Sequence, residues 1–500
     1  MDTRVRCLAA LGCGALLLAA APGPSAAQVP AGEEITFVTR DGVTAYADLY
    51  AARAGREAPL VLLFHQAGSN ARAEYGEIVP RLLREGFGVL AVDARGGGGA
   101  RFGGVNRTVA ALGDSSAALC DAYAEMEGAL RAVSERGFTS SRFAWGSSYT
   151  AALAIRLAAE HPAELAGALA FSPASGEPMR GCEPEPYLTR LRVPLFAARP
   201  ERELSVGWIA RQLDTLRAAG ARTYVAANGA HGSSMLAASR VQGSVEEHWG
   251  AVLSFLRANA RAPVPPLAAG TVVRRVEVES DGWRLVGDLT LPPADRARPG
   301  AGAGARVPAV LLLNGADRDR RAYEPLAAHL AARGVASLRL DLRRHGESVN
   351  LGRAVPGMRG PGGAERDVAA AHRFLSALPG IDQARVGVVG ASYSGEAMAV
   401  AARSGDGYAR AYVALSPGSF SEASMDAIDA GGAAWWIIRS NDERFVKEWL
   451  DQGVRARSRT AEVTVVDAGS AHATDILAMR PELAPRIAEW LAARLLGPRP

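Results

Sequence analysis

The chain has 500 residues, of which 48% are hydrophobic and 22% charged, and this composition excludes a disordered chain. Its length exceeds what one ordinary hydrophobic core serves, so we expect at least two domains. The formal net charge is +4 and the arginines are scattered rather than clustered, which argues against a nucleic-acid-binding surface.

The N-terminus has the pattern of a cleavable secretory signal. Arg4 and Arg6 precede an apolar run at residues 7–21, and small residues follow at 25–27. This order predicts a secreted or periplasmic protein, cleaved after Ala27. The alternative is an N-terminal membrane anchor, but a run of about fifteen apolar residues is short of the roughly twenty that span a bilayer. No later stretch approaches that length, so we expect no membrane span in the mature chain.

Two cysteines, Cys120 and Cys182, remain after cleavage at residue 27. Disulfides form in exported proteins because compartments outside the cytosol are oxidising. The sequence therefore predicts a disulfide between Cys120 and Cys182, with two separate buried thiols as the alternative.

The chain repeats itself with a nearly constant offset. The apolar segment that ends in Gly-Ser-Ser at 143–148 recurs, ending in Gly-Ala-Ser, at 386–392, and Ser-Pro at 172–173 recurs at 416–417. Both pairs are separated by 244 residues (392−148 and 416−172). An offset that holds across most of each half indicates that a whole unit was duplicated.

The duplication predicts two domains that are joined at a proline-rich stretch. Pro263, Pro265 and Pro266 lie between the repeated units, and proline-rich segments form semi-rigid linkers. The predicted organisation is a signal peptide at 1–27, a first domain at 33–258, a linker at 259–270 and a second domain at 271–497.

Each unit alternates short apolar runs with longer stretches of helical spacing. Residues 74–84 and 322–332 carry Leu or Ile at helix spacing, and the apolar run at 88–93 follows the first of them. Continuous apolar strands are typical of a parallel sheet that is covered on both faces. We therefore predict an α/β fold in which each domain is a mostly parallel, doubly wound sheet flanked by helices.

A Gly-x-Ser turn stands between an apolar run and an Ala-rich helical stretch in each unit. It reads Gly146-Ser147-Ser148 in the first unit and Gly390-Ala391-Ser392 in the second. So sharp a turn lifts the serine hydroxyl above the sheet, and it requires small neighbours. The helix that follows offers backbone N–H groups and positive potential to an oxyanion. Ser148 and Ser392 are therefore the candidate nucleophiles.

With these turns, the chain resembles the α/β-hydrolase superfamily, in particular its cap-less dienelactone-hydrolase-like and esterase branch, over nearly all of the mature sequence. The resemblance implies two tandem α/β-hydrolase domains and a triad in the order nucleophile, acid, His, with no metal or organic cofactor. Dienelactone hydrolase uses a Cys nucleophile that neither unit has, so its substrate is not implied. The last position of the Gly-x-Ser-x-Gly pattern is Thr150 in one unit and Ser394 in the other. Because Thr is bulkier, the first unit is the weaker candidate.

A serine nucleophile needs a base, and each unit offers one late histidine. His231 and His472 occupy matching loops after apolar segments. A hydroxyl becomes nucleophilic when such an imidazole takes its proton, so we expect these two to serve Ser148 and Ser392. The alternative is a surface histidine that caps the next helix.

The triad acids are predicted from the strand that precedes them. Counting nine residues from the start of the matching strands leads to Glu203 and Glu443. Glu201 and Asp442 stay open as alternatives, because a slip of one or two residues would let either reach the same histidine.

The resemblance also implies where the oxyanion holes lie and whether a cap domain covers the sites. By position, the backbone N–H groups of Ala67 and Tyr149 form the first hole, and those of Ala316 and Tyr393 the second. His65, just before the first hole, is interpreted as a residue that shapes the loop. Caps enter between the sixth and seventh strands, and the intervals at 174–192 and 418–433 are too short for a helical cap.

The sequence thus predicts a secreted or periplasmic serine hydrolase that cleaves a small-molecule carboxylic ester through an acyl-enzyme. One alternative is a secreted peptidase or acyltransferase on the same fold. Another is that one unit, the first being the better candidate, is a non-catalytic binding or partner module. The oligomeric state is left open.

Overall fold

A computed structural model describes the chain from residue 31 onward, so the predicted signal peptide at 1–27 lies outside the described residues. Residues 32–500 form one compact unit. Within the described part, no helix is long and apolar enough to cross a membrane. The described ranges are 31–96, 101–113, 117–294, 306–316, 318–354, 362–405, 408–418, 420–429, 432–443, 448–457 and 461–497.

The first half, residues 32–259, contains an eight-stranded sheet with helices on both faces. Its strands are β1 (Glu33–Val38), β2 (Thr44–Tyr50), β3 (Leu60–Phe64), β4 (Gly88–Asp93), β5 (Arg142–Ser147), β6 (Gly167–Phe171), β7 (Leu195–Pro200) and β8 (Arg222–Ala226). Its helices are α1 (Ala71–Tyr75), α2 (Ile78–Arg84), α3 (Arg107–Ala111), α4 (Tyr123–Glu135), α5 (Tyr149–Glu160), α6 (Glu185–Leu188), α7 (Gly207–Ala218) and α8 (Glu246–Asn259).

The second half, residues 260–497, contains another eight-stranded sheet. Its strands are β9 (Val272–Ser280), β10 (Trp283–Leu291), β11 (Val307–Leu313), β12 (Ala336–Leu340), β13 (Ile381–Ala391), β14 (Ala411–Leu415), β15 (Ala434–Ser440) and β16 (Glu462–Val466). Its helices are α9 (Glu324–Ala331), α10 (Ala364–Ala377), α11 (Tyr393–Ser404), α12 (Glu422–Asp429), α13 (Glu448–Arg457), α14 (Asp475–Met479) and α15 (Leu483–Leu496).

The two sheets have the same topology. The first has the order β1-β2-β4-β3-β5-β6-β7-β8, and adding eight to each label gives the order of the second. In both, the first two strands pair antiparallel with their neighbours and the remaining pairs are parallel. The predicted fold class and the duplication behind it are therefore confirmed.

The central strands are apolar throughout because helices cover both faces of each sheet. All five residues of β3 are buried, and so are all residues of β6 and β14. Parallel strands end at one edge of the sheet, and in such folds the functional side chains gather at the carboxyl edge. The turns that carry Ser148 and Ser392 follow β5 and β13 at that edge.

The two halves share one apolar core. A single cluster of buried side chains includes Ile78 and Trp249 from the first half together with Leu326, Ile476 and Leu483 from the second. Burial of apolar surface is the main favourable contribution to packing, so the halves stabilise each other. Helix α8 of the first half packs against α14 of the second.

A disulfide links two segments of the first half. Cys120 and Cys182 are bonded, with their Cα atoms 5.8 Å apart and 62 residues apart in sequence. Of the two alternatives that the sequence allows, the structure therefore contains the bonded one. The bond ties the segment before α4 to the segment between β6 and β7.

Candidate active sites

Both candidate nucleophiles stand on strained backbone. Ser148 has φ 62° and ψ −115°, and Ser392 has φ 54° and ψ −123°, at the corners between β5 and α5 and between β13 and α11. Non-glycine residues with such torsions cost roughly 1–3 kcal/mol and persist where the surroundings enforce them. Each serine N–H donates to the neighbouring strand, at 2.8 Å to Phe171 O and at 2.9 Å to Leu415 O.

The corners require glycine two residues before each serine. A Cβ on Gly146 would lie 2.2 Å from the carbonyl oxygen of Thr150, and one on Gly390 would lie 2.7 Å from that of Ser394. Contacts this short leave no room for a side chain against backbone. The small residues that the motif predicted are therefore imposed by the close approach of the helix to the strand.

The bulk of Thr150 does not disturb the first corner, so that reason for ranking the first half lower is wrong. The Thr150 hydroxyl is buried, accepts from Ser147 N–H at 2.8 Å and donates to Phe64 O at 2.7 Å. Ser394 makes the matching bonds, accepting from Ala391 N–H at 2.7 Å and lying 3.1 Å from Leu313 O. Either hydroxyl ties the corner to the end of the adjacent strand, and the extra methyl group fits.

The second half brings its three predicted side chains together. Ser392 Oγ lies 2.8 Å from His472 Nε2, and His472 Nδ1 lies 3.1 Å from Glu443 Oε1. The side chain of Glu443 is 1% exposed, so its carboxylate is shielded from water. The chain of hydrogen bonds runs from hydroxyl to imidazole to carboxylate, which is the geometry of a nucleophile, base and orienting acid.

The first half brings two of its three together. His231 Nδ1 lies 2.6 Å from Glu203 Oε1. Among the described residues, however, no hydrogen bond joins Ser148 to His231, and the His231 side chain is 42% exposed against 26% for His472. The first site therefore has its base and acid paired but its nucleophile unpaired.

The two acids also differ in their other partners. Arg199, at the end of β7, places Nη1 2.9 Å from Glu203 Oε2, and Ser172 Oγ donates to Glu203 Oε1 at 3.1 Å. Burial alone would raise the pKa of Glu203, but hydrogen bonds and charges from His231 and Arg199 outweigh it and hold the pKa below its usual value. Glu203 is therefore shared between His231 and Arg199.

The arginine at the corresponding position of the second half, Arg439, pairs with a different carboxylate. Arg439 pairs with Asp451, at 2.6 Å between Nη2 and Oδ2, and not with Glu443. The second oxygen of Glu443, Oε2, is buried without a hydrogen-bond partner in the described part of the chain. Within the described residues, the carboxylate of Glu443 is hydrogen-bonded to His472.

The alternative acids lie away from the histidines. Glu201 and Asp442 are both exposed, and in the described ranges neither forms a hydrogen bond with His231 or His472. Of the acids that the sequence left open, the structure pairs Glu203 and Glu443 with the imidazoles.

Four backbone N–H groups are available at the predicted oxyanion positions. Those of Ala67 and Tyr149 in the first half, and of Ala316 and Tyr393 in the second, donate to no acceptor within the described residues. An unsatisfied N–H after a strand and another at the start of a helix are the usual donors to a developing oxyanion.

Comparison with known proteins agrees with this architecture. Residues 55–248 match the family model described as serine aminopeptidase, S33. This stretch covers β3 to β8 and enters α8, and the second half repeats its strand order. Each half of the chain therefore has an α/β-hydrolase-like fold. A search of curated proteins gave no match.

Solved structures similar to this chain each cover about half of it. The dienelactone hydrolase of Anabaena variabilis ATCC 29413 is 19% identical, covering 45% of this chain and 99% of its own, with a TM-score of 0.35. An esterase of Pyrococcus furiosus is 16% identical, covering 46% and 98%, with a TM-score of 0.36. Est1E from Butyrivibrio proteoclasticus is 14% identical, covering 45% and 99%, with a TM-score of 0.35.

Sequence reasoning missed a buried acid behind the first predicted oxyanion loop. Glu74 in α1 accepts from Gln66 N–H at 2.8 Å, and burial raises the pKa of its carboxyl. His65, predicted to shape the loop, bonds Gln66 O at 2.8 Å and accepts from Ala94 N–H at 3.0 Å. Glu74 falls in a helical stretch, and nothing in its spacing signals a buried position.

Arg199 is the second residue near the candidate sites that the sequence did not identify. It is one of many scattered arginines, although it stands four residues before the predicted acid. Its burial and its bond to Glu203 become apparent in the folded chain. No cluster of side chains that could hold a metal ion occurs among the described residues.

Proposed function

We propose that the protein is a serine hydrolase that cleaves carboxylic esters, chiefly at the second site. The observation that carries the proposal is the continuous set of hydrogen bonds from Ser392 through His472 to Glu443, at 2.8 and 3.1 Å. It is supported by the strained corner on which Ser392 stands and by the N–H groups of Ala316 and Tyr393, which donate to no acceptor among the described residues.

The proposed reaction proceeds in two steps through a covalent intermediate. His472 Nε2 takes the proton of Ser392 Oγ as the oxygen attacks the ester carbonyl, and Glu443 holds the resulting imidazolium. The N–H groups of Ala316 and Tyr393 stabilise the oxyanion, and His472 returns the proton to the departing alcohol. Water, deprotonated by the same imidazole, then releases the acid and restores Ser392.

The substrate class follows from how open the sites are. The interval between β6 and β7 contains the short helix α6, and the interval between β14 and β15 contains α12, of eight residues. Neither helix forms a domain of its own. A site without a large cap suits a small or extended ester.

A second candidate function concerns the first half alone, as a module with little or no turnover. The observation in its favour is the unpaired Ser148, together with the exposed His231 and the engagement of Glu203 by Arg199. A base that is not hydrogen-bonded to the nucleophile activates it poorly unless it moves when substrate binds.

A peptidase is the other candidate, favoured by the description of the matching family as a serine aminopeptidase. An aminopeptidase must hold the free amino group of its substrate near the nucleophile. Comparing turnover of a short-chain p-nitrophenyl ester with that of an aminoacyl p-nitroanilide separates the two. We expect the ester to be cleaved, and faster cleavage of the anilide would favour the peptidase.

Labelling by a fluorophosphonate tests the site assignment directly, because this probe reacts with activated serines. We expect Ser392 to be labelled rapidly and Ser148 at least about tenfold more slowly, since only Ser392 is hydrogen-bonded to its base. Peptide mapping by mass spectrometry identifies the labelled serine. Equal labelling of both serines contradicts a less active first half, and an unlabelled Ser392 contradicts the proposed function.

We further propose that the protein is exported and that residues 1–27 are removed. The Cys120–Cys182 disulfide supports this, because such bonds persist in oxidising compartments. After expression in a bacterial host, we expect the protein in the periplasm or medium, beginning at Gln28. N-terminal sequencing of each fraction checks this, and an intact chain beginning at Met1 in the cytosol would be evidence against export.

A further inference from the structure

The loop that carries His472 is held by side chains of both halves. It joins β16 to α14 at residues 467–474. From its own half, the hydroxyl of Ser440 donates to Ala471 O at 2.5 Å. This bond fixes the residue immediately before the histidine.

The other contacts come from the first half. Glu85, at the C-terminal end of α2, accepts from Ser470 N–H at 3.2 Å and from Ser470 Oγ at 3.3 Å. Arg257 in α8 donates to Ser470 Oγ at 3.0 Å and pairs with Glu85. Glu85 is 5% exposed, so a buried ion pair of the first half contacts the loop two residues before His472.

Gly469 allows this contact. It has φ 58°, and a Cβ there would lie 2.6 Å from Glu85 Oε2 and 2.9 Å from Arg84 O. A side chain at this position would push α2 and the loop apart. The backbone of the His472 loop and the end of α2 therefore pack directly against each other at Gly469.

The corresponding loop of the first half lacks such support. Residues 228–230, which match 469–471 at the offset of the two histidines (472−231 = 241), border a cavity of about 510 Å³. In the described part of the chain, no hydrogen bond from the second half reaches them. The supported loop is the one whose histidine is bonded to its serine.

We propose that Glu85 and Arg257 are positioning residues for His472, so that the first half builds part of the second half's active site. The inference rests on the proposed function. Their bonds to Ser470 restrict the loop, and a displacement of about 1 Å in a catalytic group can lower a rate by as much as 100-fold. Neither residue touches the reacting atoms, and both act through the loop backbone.

The test compares Glu85→Gln and Ser470→Ala with the control Glu246→Gln. Arg81 of the first half pairs with Glu85, at 3.0 Å, and with Glu246, at 2.9 Å. Glu246 is therefore a carboxylate with the same arginine partner that makes no contact with the loop in the described structure. We expect fluorophosphonate labelling of Ser392 to slow roughly tenfold in the first two variants and to be unchanged in the control. Ester hydrolysis, measured with Ser148→Ala in all chains, should lose kcat at constant KM.

The double variant distinguishes positioning from general destabilisation. If Glu85 and Ser470 act through one contact, the double variant labels no more slowly than either single variant. Ser470→Ala removes one hydroxyl and keeps the N–H bond, so it provides the test if Glu85→Gln fails to fold. Unchanged labelling in both single variants, or multiplicative effects in the double variant, overturns the proposal. An unlabelled Ser392 in the natural chain overturns the proposed function and this role with it.

Discussion

Replacing Ser392 with alanine is expected to remove most of the ester hydrolysis, whereas replacing Ser148 should leave the greater part. Ser392 is the serine whose hydroxyl is bonded to an imidazole that is itself bonded to a buried acid. With both serines replaced, kcat should fall by about 10⁴-fold or more, because binding and oxyanion stabilisation alone leave only a small residual rate.

The measurement is steady-state hydrolysis of a short-chain p-nitrophenyl ester by the natural chain, the two single variants and the double variant. Circular dichroism and thermal melting serve as controls, since both serines are at strained corners. A Ser148→Ala variant that loses as much activity as Ser392→Ala would show that the first site works as well. Undiminished turnover by the double variant would reject both serines as nucleophiles.

Most of the fold could be predicted from the sequence because parallel sheets leave a strong pattern. The runs at 59–64 and 308–313 are apolar at nearly every position, and they fall on β3 and β11. The repeat then reduced the number of candidate catalytic residues, because a catalytic residue should recur at the matching position of each half. A histidine that recurs at a matching place in each half stands out from six others that do not.

The sequence could not show which of several possible partners a side chain binds in the folded protein. Arg199 and Arg439 occupy matching positions near the ends of β7 and β15, yet one pairs with the triad acid and the other with Asp451. That choice depends on which carboxylate the next helix brings within reach. A pattern of residue types contains no such distance.

The support of the His472 loop by the first half was equally beyond the sequence. Glu85 and Ser470 are 385 residues apart, and each has an unremarkable neighbourhood in the chain. The contact follows from the way the two halves pack through one apolar core. Thr150 is a case in which the residue type misled the sequence analysis. Its bulk argued against the first site, yet its hydroxyl forms ordinary hydrogen bonds at the corner.

The assignment of Glu443 as the triad acid of the second site can be tested by substitution. Glu443→Gln should lower kcat by about 10³- to 10⁴-fold with little change in KM. A glutamine amide can present a donor to His472 Nδ1, which favours the tautomer that cannot accept the serine proton. It also removes the charge that stabilises the imidazolium. The variant is best measured with Ser148→Ala, so that one site reports.

Asp442→Asn is the matched control, because Asp442 is the neighbouring acid that the sequence left open. Its side chain is exposed and makes no hydrogen bond with His472 within the described residues, so we expect a change of less than about twofold. A larger loss in Asp442→Asn than in Glu443→Gln would mean that the loop shifts by one residue when substrate binds. Glu443→Gln is not expected to unfold the chain, because its Oε2 has no partner to lose in the described structure and burial of a neutral amide costs less than burial of a charge.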